Sequence, residues 1–329
     1  MIRLALILLL LQSGILRASS VSEGAVVLMV DKAGLNARLE LVPEDPHPSR
    51  VLKTYKIAIG KESGDKQREG DNRTPEGIYI SERIIKDRDL PEKYGRGAIP
   101  LNFPNPIDRL SGKTGHGIWL HGVEQDQRIS EARVTEGCVA FYNQDIIELV
   151  RFLQPRHSFV VISNGAGSLD AQSRRIARNR DEVRQATLAW LRAWQDRDLD
   201  AYVSFYDRSF RYRGRKLDWF RKYKKRVFGR YRKMQVRMDE RRILPHEKYV
   251  VVVMNQDFNG DNRYVSRGRK YLYWTMNGAD QWRIRQEVFD KEPLEARTFE
   301  ESILTSLEDR MPAKAAHSGS TGREGAADL

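Results

Sequence analysis

Along the first half of the chain, apolar residues arrive in short runs separated by polar loops. Ala25 to Val30 is apolar throughout and has the length of a strand. Ala37-Arg-Leu-Glu-Leu-Val42 alternates at period two, the pattern of a half-buried strand. Thr54 to Ile59 follows and ends at Gly60, before a polar, glycine-containing loop over 62–73. Thr74-Pro75-Glu76-Gly77 reads as a rigid corner, because Pro75 presets φ and Gly77 tolerates positive φ. It leads into Ile78-Tyr79-Ile80, and Ile118 to Leu120 and Phe159 to Ile162 complete the predicted strands. Only Asn143 to Leu153 shows helical spacing, through Ile146, Ile147, Val150 and Leu153. Residues 25–163 are therefore expected to form a mainly β domain.

The period changes after a polar stretch. Residues 164–179, opening on Asn164 and two glycines, read as a linker. From Asp181 to Arg197, Val183, Thr187, Trp190, Leu191 and Trp194 fall on one helical face. Shorter helices are expected over Leu199–Tyr206 and Leu217–Phe228. Four strands follow, over Met234–Ile243, Tyr249–Phe258, Lys270–Met276 and Gln281–Phe289. Helices followed by adjacent strands give an α+β order, closed most simply as a curved antiparallel sheet covered by helices, over residues 180–290.

The termini add a location. Met1-Ile2-Arg3, the apolar run Leu4 to Leu11 and the small residues Ala18-Ser19-Ser20 read as a secretory signal peptide over residues 1–20. The protein is accordingly expected outside the cytoplasm, in the periplasm or cell envelope. Residues 291–329, rich in Ala, Gly, Ser and Thr towards the end, read as a mostly disordered tail. The 329-residue chain carries a formal net charge of +12, concentrated between Arg208 and Arg242, where sixteen Lys and Arg face three acids.

Cys138 is the only cysteine, so it has no internal disulfide partner. An unpaired thiol in an exported protein points to use of its reactivity. It lies in Thr135-Glu136-Gly137-Cys138, and His121 closes Gly117-Ile118-Trp119-Leu120-His121-Gly122 upstream. A histidine folded back on a cysteine can remove its proton and later protonate a leaving amine. The backbone N–H groups of Gly137 and Cys138 are candidates for binding the oxyanion. His116, Trp119, Gly122, Thr135 and Glu136 flank the pair and are the candidate substrate-binding residues. Asp126, Glu131 and Asp145 are candidates for orienting His121. One cysteine and no close histidine pair give no support for a metal site.

Thr74-Pro75-Glu76-Gly77, His121-Gly122 and Thr135-Glu136-Gly137-Cys138, in this order over residues 25–163, resemble the L,D-transpeptidase catalytic domain, also called the YkuD domain. The resemblance implies that Cys138 attacks a peptidoglycan stem tetrapeptide between an L-centre and a terminal D-residue. An amine then accepts the acyl group in transpeptidation, or water accepts it in L,D-carboxypeptidation to a tripeptide. No cofactor is implied. The family's usual second histidine before Gly-Cys is Glu136 here, and the Arg or Asn often found two residues after the cysteine is Ala140. Those departures bear on acceptor choice, and they leave a non-catalytic wall-binding module as a reading of a different class. Residues 180–290 resemble the NTF2-like fold, as in a subgroup that appends such a domain. Its aromatics, Tyr202, Tyr206, Trp219, Trp274 and Trp282, are candidates for a pocket lining or for core. Outside the cytoplasm the basic stretch suits an anionic wall component, a lipid or an acidic protein, and not nucleic acid.

Overall fold

The structure, a computed structural model, describes residues 24–165 and 169–291. The expected signal peptide and almost all of the expected tail lie outside the described residues. Ten strands build the first sheet: β1 (Gly24–Asp31), β2 (Asn36–Pro43), β3 (Arg50–Gly60), β4 (Gly77–Ile80), β5 (Ile85–Lys86), β6 (Gly97–Pro100), β7 (Trp119–His121), β8 (Arg133–Thr135), β9 (Val139–Phe141) and β10 (Phe159–Ser163). Their order is β4-β10-β1-β2-β3-β9-β7-β6-β5, with β8 paired to β3. Short helices α1 (Pro106–Leu110) and α2 (Asn143–Phe152) flank it, and α2 buries Ile146, Leu149 and Phe152. The first domain is thus mainly β, as its patterning predicts.

Helix α3 runs from Leu169 to Gln195. This corrects the linker expected over 164–179, most of which is helical. Midway along the helix, Arg180 and Arg184 both pair with the buried Asp45 of the first domain. Helix α4 (Leu199–Ser204) is capped by the Asp198 side chain, which accepts from Ala201 N. A small hairpin of β11 (Arg211–Tyr212) and β12 (Arg215–Lys216) leads into α5 (Leu217–Arg230). The chain ends in an antiparallel meander of β13 (Met234–Pro245), β14 (Val250–Gly260), β15 (Tyr264–Met276) and β16 (Trp282–Asp290).

This second sheet is covered on both faces. Val250, Val252, Met254, Leu272 and Trp274 pack with Trp190 and Trp194 of α3, Tyr202 of α4 and Tyr206 just beyond it. Val251, Val253, Tyr249, Tyr271 and Tyr273 pack with Val27, Ile78, Phe159 and Val161 of the first sheet. Fully burying each valine contributes roughly 1.5–3 kcal/mol. Of the candidate pocket aromatics, Tyr202, Tyr206, Trp274 and Trp282 are core, and Trp219 alone is exposed.

Candidate active site

Strands β7 and β9 lie side by side and parallel, with Leu120 opposite Val139 and His121 opposite Ala140. One step back in this register, Cys138 faces Trp119, whose N–H donates to Cys138 Sγ at 3.4 Å. Because side chains alternate along a strand, Trp119 and His121 share a face. The topology thereby brings His121 and Cys138 to one cleft of about 420 Å³.

Cys138 is presented by a tight loop. Gly137 has φ of +126°, and a Cβ there would lie 2.7 Å from Arg73 O. Two threonines hold the loop from below. Thr135 Oγ1 donates to Cys138 O at 2.8 Å and accepts from Gly137 N at 3.2 Å. Thr74 Oγ1 donates to the same carbonyl at 3.3 Å and accepts from Gly60 N at 2.9 Å. The Thr74 corner is therefore a support for Cys138, a role its sequence reading as a turn did not reveal. Since Gly137 N–H is engaged by Thr135, the oxyanion candidate narrows to Cys138 N–H.

His121 is only 5% exposed. Its Nδ1 faces the carbonyl oxygen of Gly122. That contact assigns the proton to Nδ1 and leaves Nε2 as the basic nitrogen. Carboxylates do not take this role: Asp126 accepts from Asn143 N and Nδ2, and Asp145 pairs with Lys53. Burial lowers the His121 pKa to about 4, helped by the charges of Arg128 and Lys93 and opposed by the Gly122 carbonyl. Burial raises the Cys138 thiol to about 11; Glu136 adds to this, against the Trp119 N–H, Lys66 and Lys93. Both shifts favour the neutral thiol and the neutral imidazole at rest.

The other sequence candidates divide. His116, Thr135 and Glu136 line the cleft with Cys138 and His121. His116 stands on its exposed rim, 3.4 Å from Glu69. Gly122 and Trp119 are not part of the lining. A Cβ on Gly122 would meet Asn143 Oδ1 at 2.4 Å, and the Trp119 ring packs tilted against Tyr94, with centroids 4.8 Å apart and planes at 41°. Among the described residues, no group of three or more His, Cys, Asp or Glu is placed to hold a metal ion.

The family model for the L,D-transpeptidase catalytic domain, YkuD, matches residues 26–162. Residues 26–162 belong to the L,D-transpeptidase catalytic-domain family. A second model, the Cds6 C-terminal NTF2-like domain, matches residues 182–288. YafK from two strains of Escherichia coli, named as a candidate L,D-transpeptidase, is 34% identical over 105 residues, 32% of this chain and 38% of YafK. The match thus spans well under half the length of this curated relative. Two solved structures share both parts. Bd1075 of Bdellovibrio bacteriovorus has a TM-score of 0.70 at 26% identity, over 83% of this chain and 94% of that one. The helical cell shape determining protein Pgp2 of Campylobacter jejuni has a TM-score of 0.61 at 26% identity, over 81% and 92%.

Around Cys138, the cleft wall holds residues that the motifs did not identify. Lys61, Lys66, Lys93 and Arg128 line it, against the acids Glu69 and Glu136. Tyr94 packs edge-on against His121 with centroids 5.1 Å apart. These side chains come from loops without apolar period or motif, and only the folded topology assembles them.

Proposed function

We propose that this protein is an exported, cysteine-dependent acyltransferase acting on peptidoglycan stem peptides, with Cys138 as nucleophile and His121 as general acid and base. The reading is carried by one observation: in a segment of the L,D-transpeptidase family, His121 on β7 and Cys138, in the loop that enters the parallel neighbour β9, line the same cleft. Because burial favours the neutral thiol and the neutral imidazole, proton transfer accompanies attack. His121 Nε2 takes the thiol proton as Sγ adds to the carbonyl between the L-centre and the terminal D-residue. Cys138 N–H stabilises the oxyanion. Collapse returns the proton from His121 to the departing amine and leaves a thioester. An amine, activated by His121, then forms the L,D-cross-link.

A second reading, L,D-carboxypeptidase trimming with water as acceptor, is favoured by the charge of the cleft. Four cations against two acids attract stem-peptide carboxylates and repel an ammonium acceptor. Water carries no such penalty. Pgp2 is a helical cell shape determining protein, which is compatible with either outcome, and we extend a role in wall architecture and cell shape to this chain as part of the proposal.

The test is purified full-length protein with a defined tetrapeptide muropeptide, products read by mass. A cross-linked dimer supports transpeptidation, and a monomeric tripeptide with no dimer supports trimming; D-alanine is released in both. Neither product, or either product undiminished in Cys138→Ala, defeats the assignment. His121→Gln should lower turnover by roughly 10²–10⁴-fold.

A further inference from the structure

The turn joining β13 to β14 belongs to the C-terminal sheet, yet its side chains end in the catalytic domain. His246 Nε2 donates to Ile162 O at 3.1 Å. Lys248 Nζ donates to Asp65 Oδ2 at 2.7 Å and to Glu76 Oε2 at 3.0 Å. Tyr249 Oη accepts from Ile78 N at 2.6 Å and from Asn105 Nδ2 at 2.8 Å.

The two carboxylates that Lys248 joins control a folded-over segment of the cleft. Asp65 Oδ1 accepts from Glu76 N at 2.8 Å, closing the segment on itself. Lys32 reaches into the fold and donates to Gly64 O, Thr74 O and Glu76 Oε1 at 2.6, 2.7 and 3.0 Å. Lys113 binds Asp65 from the other side at 2.9 Å. Between Asp65 and Glu76 the chain supplies Lys66, Glu69, Gly70 and Asn72 to the cleft lining. Two residues before Glu76, Thr74 holds the Cys138 carbonyl.

We propose that Lys248 of the NTF2-like domain is a positioning residue for the catalytic cleft. It fixes segment 61–77, and with it the cleft wall and the Thr74 support beneath Cys138. Asp65 and Glu76 are nearly buried, at 13% and 9% side-chain exposure, while Lys248 is 47% exposed. A partly solvated ion pair contributes little to global stability. Lys32 and Lys113 also remain to neutralise the carboxylates. The consequence of losing Lys248 therefore falls on the placement of the segment and not on melting. The C-terminal domain is in this sense part of the catalytic scaffold. The proposal rests on the acyl-transfer reading for its turnover measurement only.

Full-length Lys248→Met removes the charge and keeps the length. Lys248→Gln is the alternative if that variant folds poorly, and Lys248→Arg is the rescue. Three readouts apply: amide hydrogen exchange over 61–77, the alkylation rate of Cys138 by iodoacetamide, and kcat and KM on the tetrapeptide. We expect faster exchange in the segment, an altered alkylation rate and a fall in kcat of roughly 10-fold, within the range that small misplacements cost. Tm should stay nearly constant, and Lys248→Arg should recover most of kcat. Wild-type exchange and alkylation in Lys248→Met would overturn the proposal. So would faster exchange with unaltered thiol reactivity and turnover, or a kcat loss that merely follows a fall in Tm and resists rescue by Arg. If the wild-type protein does not turn over the tetrapeptide, the acyl-transfer reading fails. Exchange and alkylation then still decide the role of Lys248.

Discussion

At Cys138 the surroundings set the chemistry as much as the thiol does. Burial and the Glu136 carboxylate push its pKa up to about 11. Removing that carboxylate in Glu136→Gln should lower the thiol pKa. Alkylation of Cys138 at pH 8–9 should then run faster than in wild type, because a larger fraction is thiolate. An unchanged rate–pH profile would show that Glu136 does not act on the sulfur. Histidines give a second pH effect of definite sign. His121 and His246 are both buried and lowered to about 4, burial being the largest cause for each. Between that value and the ordinary 6.5, the unfolded chain binds protons that the folded chain refuses, so stability rises with pH across this window. Each imidazole contributes up to about 3 kcal/mol, lost as pH falls from 6.5 towards 4. Thermal melts at fixed ionic strength should show the slope, and His246→Gln should reduce it.

At the scale of elements, the site depends on a loop shaped by two threonine hydroxyls on a single carbonyl. Thr135→Val keeps the shape of the side chain but leaves Gly137 N–H without its acceptor. We expect a stability loss of about 1–3 kcal/mol, the cost of an unmet buried group, and a lower kcat with KM less affected. Denaturant melts and kinetics on the tetrapeptide measure both. What the sequence disclosed follows from the same physics. Long strands such as β2 were legible because one face is buried and the other is not. Strands β6, β8 and β9 escaped because three or four residues carry no period. The start of α3 escaped because residues 169–180 are mostly polar and carry no apolar stripe to read. Cys138 and His121 were legible through their motifs, whereas Lys93, Tyr94 and Arg128 enter the cleft from two short 3-10 turns, Glu92–Tyr94 and Asp126–Glu131. A five-residue apolar run, Val250 to Met254, did signal a strand buried on both faces, a feature its assignment as a strand alone left unused.

At the scale of the molecule, charge and packing divide the C-terminal domain. Its outer helix α5 exposes Arg221, Lys222, Lys225, Arg226 and Arg230, with Trp219 among them. Reversing charge at Lys222, Lys225 and Arg226 should weaken retention on intact sacculi and leave turnover of small muropeptides intact. Wild-type retention should fall with salt, because exposed charges are screened within about 8 Å at physiological ionic strength; salt-independent pelleting would refute the electrostatic account. The opposite face of the same domain is apolar and closed. Leu244, Tyr249, Val251, Val253, Tyr271 and Tyr273 are shared with Val27, Val42, Ile78, Phe159 and Val161. Two family matches thus meet in one core, and calorimetry should record a single transition. The same core limits how evolution or an engineer can shuffle these parts. A chimera that grafts a relative's catalytic segment onto this sheet inherits two faces that never adapted to each other. Such fusions should be insoluble unless both sides of the seam travel together.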